Sequence, residues 1–407
     1  MGSTLSHNDL YRLPWTLPDN AISWLEPTSM CNLYCDGCYR KNEANAHKSV
    51  EAVRQELDTF KRLRKTDGVS IAGGDPLIHP QIEKIVEMVA SDGVKPIINT
   101  NGLALTMAKL KALKSAGVAG FTFHIDSGQN RPHMKGKTEE ELNELRLHYA
   151  QMLAEVGEIS CAFNATVYEH TLQDVTKVVE WGHKHIDIVN ILVFIAYRAA
   201  PVHKGYNYYV GGKQIDMTPI AYAIDKERRI SIMSTDIVDV IRKKYPDFMP
   251  SAYLNSTERP DHFKWLLTMR VGTKDNIYGY VGPKFMELGQ TLHHLVRGSY
   301  LAYTKPKTLE HGRSMLLLSP LDRGISGIAR AYFHHAMTKP TVLFKKLHLQ
   351  TVMIIQPADF MENGALGMCD GCPDITVHEN KLVWSCRMDE LVNFGDWVRA
   401  VPEKNGQ

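Results

Sequence analysis

Apolar residues recur along residues 21–197 with two different spacings that alternate. Short apolar runs predict β-strands, and longer segments with apolar residues every three or four positions predict α-helices. The strand segments are 21–28, 68–74, 95–102, 120–127, 159–167 and 188–197, and the helical segments are 49–66, 81–91, 106–116, 138–156 and 173–185. Six strands alternating with five helices predict right-handed βαβ units and a parallel sheet.

Polar groups and cysteines follow the predicted strands. In a parallel barrel, functional groups collect at the carboxyl ends of the strands. Any one of these groups could form an ordinary turn, but six in register indicate one site. They are "CNLYCDGC" (31–38), "GGDP" (73–76), "TNG" (100–102), "DS" (126–127), Asn164 within the fifth strand and Arg198 after the sixth.

The seven cysteines form two groups of three and one single residue. The first trio has the spacing C-x3-C-x2-C and the second C-x2-C-x13-C: Cys31, Cys35 and Cys38, then Cys369, Cys372 and Cys386. Cys161 lies alone in an apolar strand, which indicates a buried structural thiol. A four-thiolate zinc site needs one more ligand than either trio supplies. Three thiolates suit an iron–sulfur cluster with one open iron, and zinc stays the alternative.

Composition limits the class of protein. The chain has 407 residues, of which 44% are hydrophobic and 23% charged, as expected for a globular protein. No apolar run reaches the ~18 residues that would span a bilayer, and the first residues lack the features of a secretory signal. We therefore expect a reducing, cytoplasmic location, where clustered cysteines more often bind metal than form disulfides. We expect no nucleic-acid partner.

The first trio together with "GGDP" after the second strand resembles the radical S-adenosylmethionine (SAM) enzymes. The resemblance implies a partial (β/α)6 TIM-like barrel in which Cys31, Cys35 and Cys38 hold a [4Fe-4S] cluster whose open iron binds SAM. It implies reductive cleavage of SAM to a 5′-deoxyadenosyl radical, with an electron donor such as flavodoxin or ferredoxin. The implied cofactor contacts are Gly73, Gly74, Asp75, Thr100, Asn101, Asp126, Ser127, Asn164 and Arg198.

His124 marks a departure from the family pattern. Many relatives have Ser-Leu-Asp where this chain has His124-Ile125-Asp126. The departure predicts an imidazole in the reaction cavity, and His124 is the one candidate for a catalytic side chain.

The second trio accompanies "ITVHENKLVWSC" (375–386), a predicted hairpin. Its spacing matches that of GTP 3′,8-cyclase, and the arrangement resembles the twitch or SPASM-like auxiliary-cluster regions of radical SAM enzymes. The resemblance implies a second [4Fe-4S] cluster on Cys369, Cys372 and Cys386, with the fourth iron open or held by His378 or Asp374. We therefore predict a radical SAM partial barrel at 1–200, a mixed, largely helical substrate-binding insertion at 201–367 and an auxiliary-cluster region at 368–407.

Residues 281–350 carry a local positive charge. They contain ten Lys or Arg and three acids, a net charge of +7 in a chain whose total is +2, and many large apolar residues. This combination indicates a lipid or isoprenoid-like substrate with an anionic head, or peripheral contact with an anionic membrane. The predicted anion contacts are Arg297, Arg313 and Arg330, because arginine favours fixed, bidentate geometry.

Other interpretations of the sequence remain open. The basic segment could be a solvated face over ordinary helices. The substrate could be a peptide or a nucleotide instead of a lipid-like small molecule. A protein of another class, a non-catalytic iron–sulfur or zinc scaffold, would also use the cysteines.

Overall fold

The computed structural model describes residues 5–201, 205–224, 232–361 and 363–403. After one short strand, its first half alternates strands and helices as predicted. These elements are β1 (Tyr11–Arg12), β2 (Ile22–Thr28), α1 (Val50–Leu63), β3 (Gly68–Gly73), α2 (Ile82–Ser91), β4 (Lys95–Thr100), α3 (Met107–Ser115), β5 (Gly120–His124), α4 (Asn143–Val156), β6 (Ser160–Val167), α5 (Val175–Lys184) and β7 (Ile191–Ala196). The largest difference from prediction is that α4 begins at Asn143 and not at residue 138. Thr138 and Glu141 hydrogen-bond each other in a separate turn before the helix.

Strands β2 to β7 lie side by side in chain order, and every neighbouring pair is parallel. Their carboxyl ends therefore share one edge of the sheet. The predicted partial barrel is confirmed, and within the described part of the chain its edge strands β1 and β2 do not pair to close it.

The middle of the chain mixes strands with helices. It comprises β8 (Ala200–Pro201), β9 (Tyr206–Val210), β10 (Lys213–Gln214), β11 (Ala223–Ile224), α6 (Ser234–Lys244), β12 (Ala252–Asn255), β13 (Phe263–Gly272), β14 (Ile277–Tyr280), α7 (Pro283–Arg297), α8 (Pro306–Leu309), α9 (Gly312–Met315), α10 (Arg323–Thr338) and β15 (His348–Ile355). Strand β15 lies parallel beside β7, and β13 follows it antiparallel. The sequence pattern did not indicate that these strands extend the barrel sheet. The domain boundaries near 200 and 367 stay a prediction.

The carboxy-terminal part contains the predicted hairpin. Its elements are β16 (Asp359–Phe360), β17 (Leu366–Gly367), β18 (Ile375–His378), β19 (Lys381–Trp384), α11 (Met388–Phe394) and β20 (Arg399–Pro402). Strands β18 and β19 are antiparallel, and His378 pairs with Lys381 across the turn. Glu379 and Asn380 form that turn with φ of +47° and +61°, the left-handed backbone that a two-residue hairpin turn requires.

Two apolar cores lie on opposite faces of the sheet. One packs helices α1 to α6 against the strands, and the other packs α7 and α10 against β12 to β15. Between α7 and α8, the hydroxyl of the half-buried Tyr303 lies 2.7 Å from Oγ1 of Thr122 on β5. This segment therefore covers the inner face of the partial barrel.

None of the helices in the described ranges is both long and apolar enough to cross a membrane.

Candidate functional site

One cavity at the carboxyl edge of the barrel strands brings the two cysteine trios together. Its volume is about 300 Å³, and all six cysteines line it. Eight of the other predicted site residues also line it: Gly73, Gly74, Thr100, Asn101, His124, Asp126, Asn164 and Arg198. Residues far apart in sequence thus share one space, which has room for a ligand between the trios.

The first trio lies on the loop after β2, and backbone contacts hold that loop. The Cys31 N–H donates to Oδ1 of Asn42, and Nδ2 of Asn42 donates back to the Cys31 carbonyl, each over 2.9 Å. Gly37 has φ of +74°, and a Cβ there would lie 2.5 Å from the Tyr197 ring. Only glycine fits this position without a shift, which explains why the residue before Cys38 is small.

The chemistry of this trio suits a metal cluster. Burial raises the pKa of Cys31 and Cys35 above the ordinary thiol value and that of Cys38 to about 11. Deprotonation therefore needs a strong positive charge, such as iron supplies to its thiolate ligands. No three His, Cys, Asp or Glu side chains in the described ranges form a group that could hold a metal ion. A [4Fe-4S] cluster binds each thiolate through a different iron, so its ligands do not converge on one point.

The glycine pair after β3 packs against the start of the cysteine loop. A Cβ on Gly74 would lie 2.0 Å from the Met30 carbonyl oxygen, so a side chain there would displace the backbone that leads into Cys31. Glycine at this position places the first trio beside the end of β3.

Two predicted cofactor contacts, Asp75 and Ser127, lie behind the cavity wall and do not line it. The fully buried Asp75 carboxylate accepts hydrogen bonds from Oγ1 of Thr100 and the N–H groups of Asn101 and Leu77, at 2.8–3.0 Å. Asp75 therefore positions the Thr100–Asn101 turn, because its oxygens are already used. Ser127 donates its N–H to Oε1 of Glu139 over 2.6 Å.

His124 and Asp126 form a pair that faces the cavity. Nε2 of His124 lies 2.8 Å from Oδ2 of Asp126 and 3.1 Å from Oγ1 of Thr166. Burial opposes ionisation of Asp126, but His124 and the N–H groups of Thr166 and Gly128 bring its pKa below the ordinary value. The pair thus presents an oriented imidazole to the cavity, as predicted for His124, while its catalytic role stays a prediction.

Two amide atoms of asparagines that line the cavity have no hydrogen-bond partner among the described residues. Nδ2 of Asn99 and Oδ1 of Asn164 are buried and make no hydrogen bond within the described parts of the chain. Buried polar groups are almost always hydrogen-bonded, so these atoms favour a polar ligand between β4 and β6. A nucleoside with an amino-acid portion, such as SAM, offers suitable donors and acceptors.

The second trio lies on segments tied to the start of the barrel. Nη2 of Arg64 donates to the carbonyls of Ile22 and Cys372, each over 2.9 Å. Of the two alternatives for a fourth ligand, Asp374 lines the cavity with the thiols, whereas His378 does not. Burial raises the pKa of Asp374 to about 7, and Arg64 opposes this shift.

A buried ion-pair network that sequence analysis missed joins the loops of the two trios. The Arg40 guanidinium lies 2.6 Å from Oε2 of Glu26 and 2.5 Å from Oδ1 of Asp389. Arg40 follows Cys38 by two residues, and Asp389 follows Cys386 by three. The signal in the sequence was Glu26, the one charged residue of its strand, which needs a cationic partner when buried.

Replacing Arg40 by methionine is expected to lower the free energy of unfolding by about 3–5 kcal/mol, because two buried carboxylates lose their cation. Urea titration followed by circular dichroism measures this loss. The matched control is Lys177→Met, whose ion pairs to Glu140 and Asp174 are exposed, and its unfolding midpoint should equal that of the parent. Equal midpoints for Arg40→Met and the parent would contradict a structural role for the bridge.

The predicted arginines differ in placement. Arg198 lines the cavity, and its Nε donates to Oδ1 of Asp359 over 2.9 Å. Arg297, Arg313 and Arg330 lie on α7, α9 and α10, are exposed and do not line the cavity. These helices expose all three side chains to solvent, and their role as anion contacts stays a prediction.

Further cavity residues come from the inner faces of the strands. Asn99, Thr122 and Thr166 line the cavity. Thr122 and Thr166 each lie between two buried apolar residues, and Asn99 follows the buried Ile98. Successive side chains of a strand point to opposite faces. A polar residue that interrupts an apolar strand was therefore a usable signal for the inner face.

The cysteine loop and the glycine pair, on which the resemblance to the radical SAM enzymes rests, meet in one cavity of a parallel partial barrel. Enzymes of that class use a [4Fe-4S] cluster and SAM. Residues 25–195 match the radical SAM superfamily model. The chain therefore carries a radical SAM domain.

Two curated relatives are enzymes by name. The chain is 25% identical over 162 residues to an AdoMet-dependent heme synthase of Methanosarcina barkeri, which covers 39% of this chain and 46% of that protein. It is 26% identical over 207 residues to a probable GTP 3′,8-cyclase of Methanococcus vannielii, which covers 50% of this chain and 65% of that protein. The chain thus spans less than two thirds of the length of either relative.

Among solved structures, Streptococcus suis SuiB bound to its precursor peptide SuiA resembles this chain with a TM-score of 0.40 and 14% identity. The match covers 59% of this chain and 47% of that one.

Proposed function

We propose that this chain is an enzyme that reductively cleaves SAM and abstracts hydrogen from a substrate held between two [4Fe-4S] clusters. The observation that supports the proposal is the shared cavity, which both cysteine trios line together with the polar inner faces of the strands. When bound, the first cluster and SAM supply a 5′-deoxyadenosyl radical.

The residues of the chain would bind the first cluster, orient SAM and exclude water. Cys31, Cys35 and Cys38 would hold the first cluster, and the unpaired amides of Asn99 and Asn164 would orient SAM beside it. His124, held by the buried Asp126 carboxylate, adds a fixed polar group to the cavity wall. Such groups keep a reactive species away from water and from other hydrogen donors.

Cys369, Cys372 and Cys386 would hold the second cluster on the opposite side. In this position it could bind the substrate or accept an electron from it after hydrogen abstraction. The Arg40 bridge to Glu26 and Asp389 would keep the two cluster loops at a constant separation. Asp374, which lines the cavity with these cysteines, is the non-thiolate candidate for the open iron.

The walls of the cavity support an apolar substrate with an anionic portion. Large apolar side chains line the side near the second trio: Trp265, Ile355, Phe360, Leu366 and Met368. Arg198 and Arg387 are the guanidinium groups at the same cavity. We therefore propose a lipid-like or isoprenoid-like molecule whose anionic group meets Arg198, and assign no cavity contact to Arg297, Arg313 or Arg330. GTP and peptides, named for the relatives and the solved structure, are the competing substrates.

Anaerobically reconstituted protein with a chemical reductant is expected to convert SAM to 5′-deoxyadenosine and methionine in equal amounts, measured by liquid chromatography. A non-catalytic scaffold would form neither product. Deuterated candidate substrates (a polyprenyl phosphate, GTP and a peptide) then separate the substrate classes, because only a true substrate transfers deuterium to 5′-deoxyadenosine. Transfer from GTP or the peptide alone would contradict the lipid-like proposal.

An electron donor of the ferredoxin or flavodoxin type would reduce the first cluster. The exposed Tyr34 beside Cys35 marks the side from which such a donor could approach. A cytoplasmic location, where these donors are found, stays a prediction.

A further inference from the structure

The exposed apolar side chains are concentrated on one segment outside the cavity. Nine of the fifteen large apolar side chains exposed in the described chain lie between residues 292 and 344. An even spread over the chain would place about two there, so the concentration needs a physical explanation. The nine are Leu292, Leu295, Val296, Leu317, Leu321, Phe333, Met337, Leu343 and Phe344.

These side chains lie on α7, on α10 and on the 3-10 turns that pack against α10. The inner faces of α7, α10 and the 3-10 turn Pro340–Phe344 contribute Met286, Ile328, Tyr332 and Val342 to the same core. Asp322 accepts hydrogen bonds from the N–H groups of Gly282 and Phe285, at 2.8 and 3.0 Å, so the beginnings of α7 and α10 lie together. The outer faces therefore point to one side of the molecule, which we call the α7–α10 surface.

These apolar side chains have large exposed fractions, although the solvent-facing side of a surface helix is ordinarily polar. Leu295 is 75% exposed, Val296 80% and Phe344 89%. On α7 the exposed Leu292, Leu295 and Val296 follow the spacing of one helix face. The helix is thus apolar on its inner and outer sides, and the outer side has no partner in the described chain.

The same surface carries positive charge that the protein leaves unpaired. Six cations of this segment make no ion pair within the described residues. Arg313 donates to the Lys345 carbonyl, and the other five are Arg297, Lys305, Arg323, Arg330 and Lys339. The three acids of 281–350 offer little compensation. Asp322 is buried as a helix cap, and Glu287 and Glu310 already pair with Lys284 and Lys346.

From this combination we infer that the α7–α10 surface binds an anionic lipid bilayer. Exposed leucine, valine and phenylalanine side chains would enter the interface between headgroups and acyl chains, while these cations meet anionic headgroups. The charge excess favours an anionic membrane over a neutral one or a second copy of this chain, whose same surface would repel it. The inference goes beyond the proposed function and does not depend on SAM chemistry.

Sedimentation of the full chain with vesicles tests this inference. We expect binding to vesicles of phosphatidylcholine with about 30 mol% phosphatidylglycerol and much weaker binding to phosphatidylcholine alone. The double variant Leu295→Ser/Phe344→Ser should bind the anionic vesicles at least about tenfold more weakly, because two large apolar groups no longer enter the interface. Val392→Ser is the matched control, since Val392 is exposed on α11, outside this surface, and should bind like the parent.

If circular dichroism shows that the double serine variant is misfolded, a second variant that removes charge tests the same inference. Arg330→Gln/Lys339→Gln should weaken binding about fivefold per cation removed, and SAM cleavage should equal that of the parent. Equal sedimentation with and without anionic vesicles would overturn the inference. So would parental binding by both variants, or a dimer in analytical ultracentrifugation that Leu295→Ser dissociates.

Discussion

Cys35→Ala is expected to reduce 5′-deoxyadenosine formation to the level of a reaction without protein. The three thiols of the first trio line the same wall of the cavity, and losing one removes a cluster ligand for which the cavity offers no spare cysteine on that side. Without the cluster, SAM has neither its iron partner nor its source of an electron. Anaerobic reconstitution, reduction and chromatography of the products measure the loss.

The matched control for this variant is Cys161→Ala. Cys161 is also a free thiol, but it is buried within β6 and does not line the cavity. Its removal should lower stability by about 1 kcal/mol, as expected for a small core truncation, and leave iron content and SAM cleavage unchanged. Near-parental 5′-deoxyadenosine from Cys35→Ala would remove the basis of the proposed SAM chemistry.

Replacing Cys369, Cys372 and Cys386 together by alanine is expected to lower the iron content from about eight to about four atoms per chain. Cleavage of SAM should continue, because the first trio and the amides of Asn99 and Asn164 remain in place. Product formation should be lost, because these three cysteines, which would hold the second cluster, line the cavity that would hold the substrate. Iron analysis, 5′-deoxyadenosine yield and deuterium transfer from substrate measure the three effects separately.

The zinc content of the protein decides whether the second trio holds a [4Fe-4S] cluster or a structural zinc ion. Parental protein that contains about four irons and one zinc per chain would show that this trio holds a structural ion. Circular dichroism of the triple variant checks that the Arg40 bridge still holds the loops, since Asp389 lies three residues after Cys386. A triple variant that forms product at the parental rate would contradict a functional second cluster.

Local patterns in the sequence were sufficient for the alternating elements of the barrel. Strand and helix periods of 2 and 3.6 residues depend on each segment alone, so β2 to β7 and α1 to α5 were predicted close to their observed bounds. The hairpin at 375–384 was predicted for the same reason, because its turn and alternating strands are local features. Strands β13 and β15 were missed because their apolar residues lie among helices of similar composition.

The sequence likewise predicted some features of the candidate site and not others. Cysteine spacing and polar groups after each strand predicted the members of one cavity, because parallel strands bring their carboxyl ends to one edge. Whether a residue faces the cavity was not decided by its place after a strand. Asp75 and Ser127 occupy such places but do not line the cavity. Asp75 accepts a hydrogen bond from the Thr100 hydroxyl, and Ser127 donates its N–H to Glu139.

By itself, the sequence determined the parallel half-barrel, the two cysteine trios and the local positive charge of residues 281–350. Only the tertiary structure decided that both trios share a cavity, that Arg40 and Asp389 meet across 349 positions, and that Arg297, Arg313 and Arg330 point away from it. The physical reason is the sequence separation over which each property is set. Periodicity and charge depend only on residues that are neighbours in the sequence. Which surfaces meet depends on how distant elements bury their apolar faces against one another.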